Sequence, residues 1–179
     1  IDCVSVAFTH YKFPYRLEEG KGSLSLKNNL LNLQLTALAD NRPVNITAHI
    51  TNPGRNAIGE VLVRVDTLPL NERLLKAIPD KIQRVIRSFA PNGSVNSTVH
   101  ITRSHPRDRW LPHHIIDLNN ISIRYDKFPY PLYDVHGRLE GVGKKWTYRD
   151  LAGKNDTGVV TAVSTRCSGQ SFILANCRA

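Results

Sequence analysis

The chain has 179 residues, is 41% hydrophobic and carries a net charge of +9. That is enough apolar material for one sizeable core or two small ones in series, yet no apolar run reaches the roughly 18 residues a membrane-crossing helix needs. The basic balance suits anionic partners, either nucleic acid or acidic lipid head groups, and is equally compatible with a plain solvated surface.

From Val4 to Phe8 apolar residues alternate with polar ones, the period of a half-buried strand. Pro14 follows; it removes a ladder donor and predicts an edge or a strand crossing. Leu24 and Leu26 alternate with Ser23, Ser25 and Lys27, and Asn28-Asn29 predicts a turn. Leu31, Leu33, Leu35 and Ala37 make the next strand, Asp40-Asn41-Arg42-Pro43 the next turn. Val44, Ile46, Ala48 and Ile50 follow, then Asn52-Pro53-Gly54, then Val61, Val63 and Val65. A meander of antiparallel strands with one apolar and one polar face is the simplest reading.

The period then changes. Asn71 predicts the N-cap of a short helix with Leu74, Leu75 and Ile78, and Pro79 opens a second helical segment. Ile82, Val85, Ile86 and Phe89 recur at helical spacing opposite Lys81, Arg84 and Arg87, so the stripe is expected to pack on the sheet. An interfacial membrane helix is the competing reading. Strand alternation resumes with Val95, Ser97, Val99 and Ile101; residues 105–112 form a polar loop, and a final strand is expected over residues 172–174.

A repeat organises all of this. Phe13-Pro14-Tyr15-Arg16-Leu17 returns as Phe128-Pro129-Tyr130-Pro131-Leu132, an offset of 115 residues from 13 to 128. At the same offset Gly22 meets Gly137, Leu24 meets Leu139, Ala37 meets Ala152 and Val44 meets Val159, while Asp150 stands where Leu35 stood. Two copies of one structural unit are therefore expected, with Val6 meeting Ile121, Phe8 meeting Ile123 and the ungapped series running from Val6 to Val44. The predicted organisation is a first β repeat over residues 1–67, a helical insertion over 68–93, and connecting strands with a second repeat over 94–179. With no visible signal peptide and no Met, even at position 1, the chain reads as a processed product or a piece of something longer.

Candidate chemistry is sparse. His105, Asp108, His113, His114 and Asp117 are of types that bind metals or move protons, but adjacent His113 and His114 on a strand point to opposite faces. Residues 164–169 hold Ser and Cys without a nucleophile elbow. Cys3, Cys167 and Cys177 make no disulfide framework, although Cys167 and Cys177 have the spacing of a hairpin pair, and no Cys-x-x-Cys occurs. Neither an enzyme nor a cofactor is expected. Tyr11, Lys12, Phe13, Tyr15 and Arg16 have the composition of a single-strand platform, but their repeated place beside a proline favours packing, and nucleic acid is not expected. Asn-x-Ser/Thr sequons at Asn45, Asn92, Asn96, Asn120 and Asn155 read as chance, because several fall in predicted strands.

What remains is an aliphatic face made by Leu24, Leu26, Leu31, Leu33, Leu35, Val44, Ile46, Ala48, Ile50, Val61, Val63 and Val65. A face of this length needs a cover: helices, a second sheet, or curvature into a trough that holds an apolar ligand.

The stretch from Phe128 to Leu132, followed by Val135-x-Gly137-x-Leu139, resembles the repeat of AsmA-like and TamB-like proteins of bacterial envelopes. Leu68-Pro69-Leu70-Asn71, Leu74-Leu75-x-x-Ile78-Pro79 and Phe89-x-Pro91-x-Gly93 resemble the segment between such repeats, and the likeness covers about residues 4–165. It implies a mainly β fold, an antiparallel curved groove built of repeats, in the periplasm and tethered to the inner membrane through another part of a longer chain. It further implies that the aliphatic face binds phospholipid acyl chains, with neighbouring repeats of the same chain as partners; the net charge adds an anionic membrane surface as a further partner. The alternative is a structural or protein-binding β module with a closed core.

Overall fold

In the computed structural model, which describes residues 1–10, 13–143, 145–156, 158–162 and 175–178, the alternating segments become one antiparallel sheet. Its eleven strands lie in chain order: β1 (Asp2–His10), β2 (Phe13–Lys27), β3 (Leu30–Ala39), β4 (Arg42–Thr51), β5 (Ile58–Pro69), β6 (Asn92–Arg103), β7 (Leu111–Tyr125), β8 (Phe128–Val142), β9 (Lys145–Asn155), β10 (Gly158–Ala162) and β11 (Ala175–Arg178). The fold is mainly β, an open curved antiparallel meander, as the alternation implied. The strand expected over residues 172–174 and the Cys167–Cys177 pairing involve residues outside those described. Tight turns of Asn28-Asn29 and Asp40-Asn41, all four at positive φ between 47° and 61°, connect the first strands. Asn and Asp tolerate that left-handed conformation.

The two repeats are visible in the register. Cys3↔Gly22, Val6↔Gly20, Phe8↔Leu17 and His10↔Phe13 between β1 and β2 return as Leu118↔Gly137, Ile121↔Val135, Ile123↔Leu132 and Tyr125↔Phe128 between β7 and β8. Every pair keeps the 115-residue offset, and so do the register shifts between them. The bulge residue Glu19, φ 52°, has its copy in Asp134, φ 49°.

The offset changes inside β9. Gln34 and Arg149 still correspond, pairing with Ser23 and Arg138, but Lys21↔Thr36 and Glu18↔Leu38 return as His136↔Ala152 and Tyr133↔Lys154, one residue further on. Asp150, at φ 52°, is the inserted residue. It does not replace Leu35, as the ungapped alignment implied; Leu151 does, at an offset of 116 from 35 to 151. Ala37 and Val44 correspond to Gly153 and Val160, so their identity with Ala152 and Val159 is coincidental. A bulge adds one residue to one strand and leaves the partner's pattern intact, which is why the repeat survives it.

Between β5 and β6 stand α1 (Glu72–Ala77) and α2 (Asp80–Ser88). Asn71 caps α1, its side-chain oxygen accepting from the Leu74 N–H at 3.0 Å. Leu74, Leu75 and Ala77 are buried, with Leu74 and Ala77 in a cluster with Tyr15, Leu35, Ala39, Val44, Ile46, Val65, Leu68 and Val95. The apolar stripe of α2 does not pack on the sheet as expected: Ile82 and Val85 are 45% and 57% exposed. The helix is fixed by its polar edge instead. Gln83 donates to the Leu75 carbonyl at 2.7 Å and Arg87 forks onto both Glu72 oxygens at 2.6 Å. Ile86 is half-buried, and Phe89, just past the helix, docks by stacking on Tyr125 at 4.9 Å.

Candidate functional site

Because cross-strand partners share a face, the register shows where the aliphatic residues go. One row runs Leu24, Leu33, Ala48, Val61, Ile101, Pro112 across β2 to β7. A second runs Gly22, Leu35, Ile46, Val63, Val99, His114, Gly141, Trp146, and a third joins Leu26, Leu31 and Ile50. Val44 and Val65 pair in a fourth, which continues through Ser97 and Ile116 to Leu139 and Tyr148. All twelve residues of the expected face therefore stand on one side of the sheet. The other side is polar: Thr36 donates to Asn45 at 2.9 Å, His49 meets Asn32 at 2.7 Å, and Arg138 pairs with Asp117 at 2.6 Å.

Burial along this face is graded. Towards the helices Leu35, Val44, Ile46 and Val65 are 3–8% exposed, under Tyr15 and Leu74. Towards the opposite strand ends Leu24, Leu31, Leu33, Ile50 and Val61 are half-buried and Leu26 is 60% exposed. The closed end is held by Asp40 in the β3–β4 turn. Its carboxylate accepts from the Tyr15 hydroxyl at 2.8 Å, the Asn71 amide at 2.7 Å and the Arg73 guanidinium at 2.5 Å, and Arg73 also lies 5.2 Å over the Tyr15 ring. The Asn71 hydrogen bond, then those from Tyr15 and Arg73, hold the Asp40 carboxyl below its ordinary value, while burial and Asp40 push the Tyr15 phenol well above its own.

The expectation from sequence stopped the face at Val65, and the structure carries it on through Val99, Ile101, Ile116 and Leu139 to Tyr148 and Trp146. The signal was the repeat itself, since Leu24, Leu31 and Leu33 map onto Leu139, Trp146 and Tyr148. In one pair the volumes are redistributed. Leu26 opposite Leu31 becomes Gly141 opposite Trp146, and a Cβ on Gly141 would stand 2.7 Å from the indole ring. With Ser97, His114 is a polar member of the face. It stacks on Trp146 at 5.7 Å, and burial, then the neighbouring His113, lowers its pKa, which favours the uncharged ring.

The histidine and carboxylate candidates are not brought together. His113 meets Glu140 at 2.8 Å on the polar face, opposite to His114, and Asp117 is held by Arg138. His105 lies in the loop, accepting from the Arg107 N–H, and no group of three or more metal-ligating residues forms among the described residues. No helix of the described residues is long and apolar enough to cross a membrane.

No protein-family model, no curated protein and no solved structure matches the chain at a significant level.

Proposed function

We propose that this chain is a non-enzymatic segment of an AsmA-like envelope protein whose apolar β-face binds lipid acyl chains and conducts them between membranes. The observation that supports it best is the row from Leu24 to Pro112. It is half-buried apart from Ala48, and every described strand belongs to the one sheet, so among the described residues no second sheet lies over it. Apolar rows left accessible across six strands are a surface that an alkyl chain covers favourably, at about 25 cal/mol per Å² removed from water. On this reading the segment works in the periplasm, tethered to the inner membrane elsewhere in its parent chain. Neighbouring repeats extend the sheet: β1 is the copy of β7, β6 covers the outer edge of β7, and a β6-like strand would cover β1 in the same way.

A second reading, a structural or protein-binding module with a closed core, draws on the tightly buried cluster around Ile46 at the helical end. One experiment separates them: native mass spectrometry of the purified chain and of its Leu33→Glu and Ile46→Glu variants. Phospholipid is expected on the parent chain. Leu33 is half-buried, so its glutamate stays hydrated, the fold survives with a loss of about 1 kcal/mol, and bound lipid disappears. Ile46 is 8% exposed, and a carboxylate there costs several kcal/mol or unfolds the chain. A parent chain that never carries lipid, with Leu33→Glu unfolding as Ile46→Glu does, overturns the groove in favour of the closed module.

A further inference from the structure

Both tryptophans of the chain, Trp110 and Trp146, lie on one long side of the sheet, the side formed by the β2–β3, β4–β5, β6–β7 and β8–β9 turns. Each of these turns carries at least one cation. Lys27, Arg55, Arg107, Arg109 and Lys145 are exposed, and among the described residues their side chains have no hydrogen bond or ion pair; Asp108 is the one carboxylate described within the same four turns. Arg103 organises the side. Its guanidinium donates to the carbonyls of Arg55 at 3.4 Å, of His105 at 3.3 Å and of Pro106, and lies 6.0 Å over the Trp110 ring, tying two turns together. Exposed aliphatics are interleaved with the cations: Leu26, Leu30, Leu111 and Val142 are 41–60% exposed, and Trp146 is 37% exposed. On the opposite side Arg73 is answered by Asp40 and Arg87 by Glu72, and the exposed cations Arg42, Lys81 and Arg84 there have no tryptophan among them.

We propose that this side of the sheet docks on an anionic phospholipid bilayer, with its free cations at the level of the phosphates and the indoles and leucines among the upper acyl carbons. Unpaired cations, tryptophan and aliphatic side chains in one band are the composition of a membrane interface. A nucleic acid fits less well. Base stacking needs open aromatic faces, whereas the Trp110 ring has Arg103 over it and Trp146 stacks on His114, and four exposed aliphatics would gain nothing. The proposal is independent of the lipid groove, since a sheet with a closed core would dock the same way.

The test is partition of the intact chain onto phosphatidylcholine vesicles with and without phosphatidylglycerol, measured by vesicle co-sedimentation and by the fluorescence of Trp110 and Trp146. Binding is expected only with phosphatidylglycerol, weakening with salt, and with a blue-shifted, quencher-shielded emission. Arg107→Gln with Arg109→Gln should lower the partition coefficient about 30-fold, at about 1 kcal/mol per cation near the surface. Lys81→Gln with Arg84→Gln on α2 removes the same charge beside the exposed Ile82 and Val85 and should change it less than about threefold. Equal losses from the two pairs would mean net charge alone, and a larger loss from the α2 pair would move docking to that helix. Either result overturns the proposal, as does binding without a shift in emission. Vesicle indifference with oligonucleotide binding abolished by the arginine pair would overturn it in favour of nucleic acid.

Discussion

At the scale of single residues, the closed end of the sheet rests on Asp40. Three donors, one from β2 and two from α1 and its cap, converge on one carboxylate, so Asp40→Ala leaves the Tyr15 hydroxyl, the Asn71 amide and Arg73 without that acceptor. Tyr15 is 4% exposed, and stranding buried donors costs about 1–3 kcal/mol, which a shifted urea midpoint would register. The pH dependence has a definite sign. The folded pKa of Asp40 lies below its ordinary 3.8, so the folded state favours the carboxylate. That stabilisation is fully present above the unfolded value and is lost as pH falls through the folded one. The parent chain should therefore lose stability in acid more steeply than Asp40→Asn, which keeps a hydrogen-bonding side chain but does not titrate. Parallel profiles for the two would mean that other carboxylates set the acid limb.

At the scale of elements, the bulges and the glycines beside them decide which face each side chain takes. Gly22 stands at φ 153° where a Cβ would lie 2.0 Å from the Gln34 carbonyl oxygen, backbone that cannot move aside without breaking the β2–β3 ladder. Gly22→Ala should cost at least about 2 kcal/mol in an equilibrium melt. Asp150 holds φ 52° as the inserted bulge residue of β9. Asp150→Gly should be neutral or slightly stabilising, whereas Asp150→Val, branched at Cβ, should cost about 1–2 kcal/mol. Equal stability of Gly and Val at 150 would mean that the bulge relaxes to ordinary extended backbone. The α2 result belongs at this scale too. Periodicity correctly located the helix and its apolar stripe, but the rotation of a short helix is set by its tethers, here Gln83 and Arg87, and those turn Ile82 and Val85 outward.

At the scale of the whole molecule, a sheet whose strands lie in chain order is built almost entirely from contacts between sequence neighbours, so its stability is close to a sum over adjacent strand pairs. The interior pairs β3–β4 and β4–β5 also carry the buried cluster with α1, while β1 has one described neighbour. Native-state hydrogen exchange should accordingly show the greatest protection at Leu35, Val44, Ile46 and Val63, and early exchange at Val4 and in β10. Uniform protection from β1 to β10 would mean that the sheet opens only as one cooperative unit.

The sequence by itself determined the strands, their order and the side on which their apolar residues lie. The period of two, the Asn and Asp turns and the short connections leave an antiparallel meander almost no alternative pairing. It also disclosed the repeat, because an offset that returns Gly22, Leu24 and the Phe-Pro-Tyr element together encodes one set of backbone constraints twice. Tertiary structure alone decided three things. That Asp150 is an insertion and Leu151 the true partner of Leu35 depends on which backbone groups pair across β8 and β9, and identities at Ala152 and Val159 had concealed it. That the aliphatic face is closed under Tyr15 and Leu74 at one end and accessible at the other depends on α1 being anchored by Asp40, a contact between residues 31 positions apart for Asn71 and 33 for Arg73. That Lys27, Arg55, Arg107, Arg109, Lys145 and both tryptophans line one side follows from the parity of the turns. Alternate turns of a meander fall on the same side, so residues as distant as Lys27 and Lys145 become neighbours of one surface only once the strands are paired.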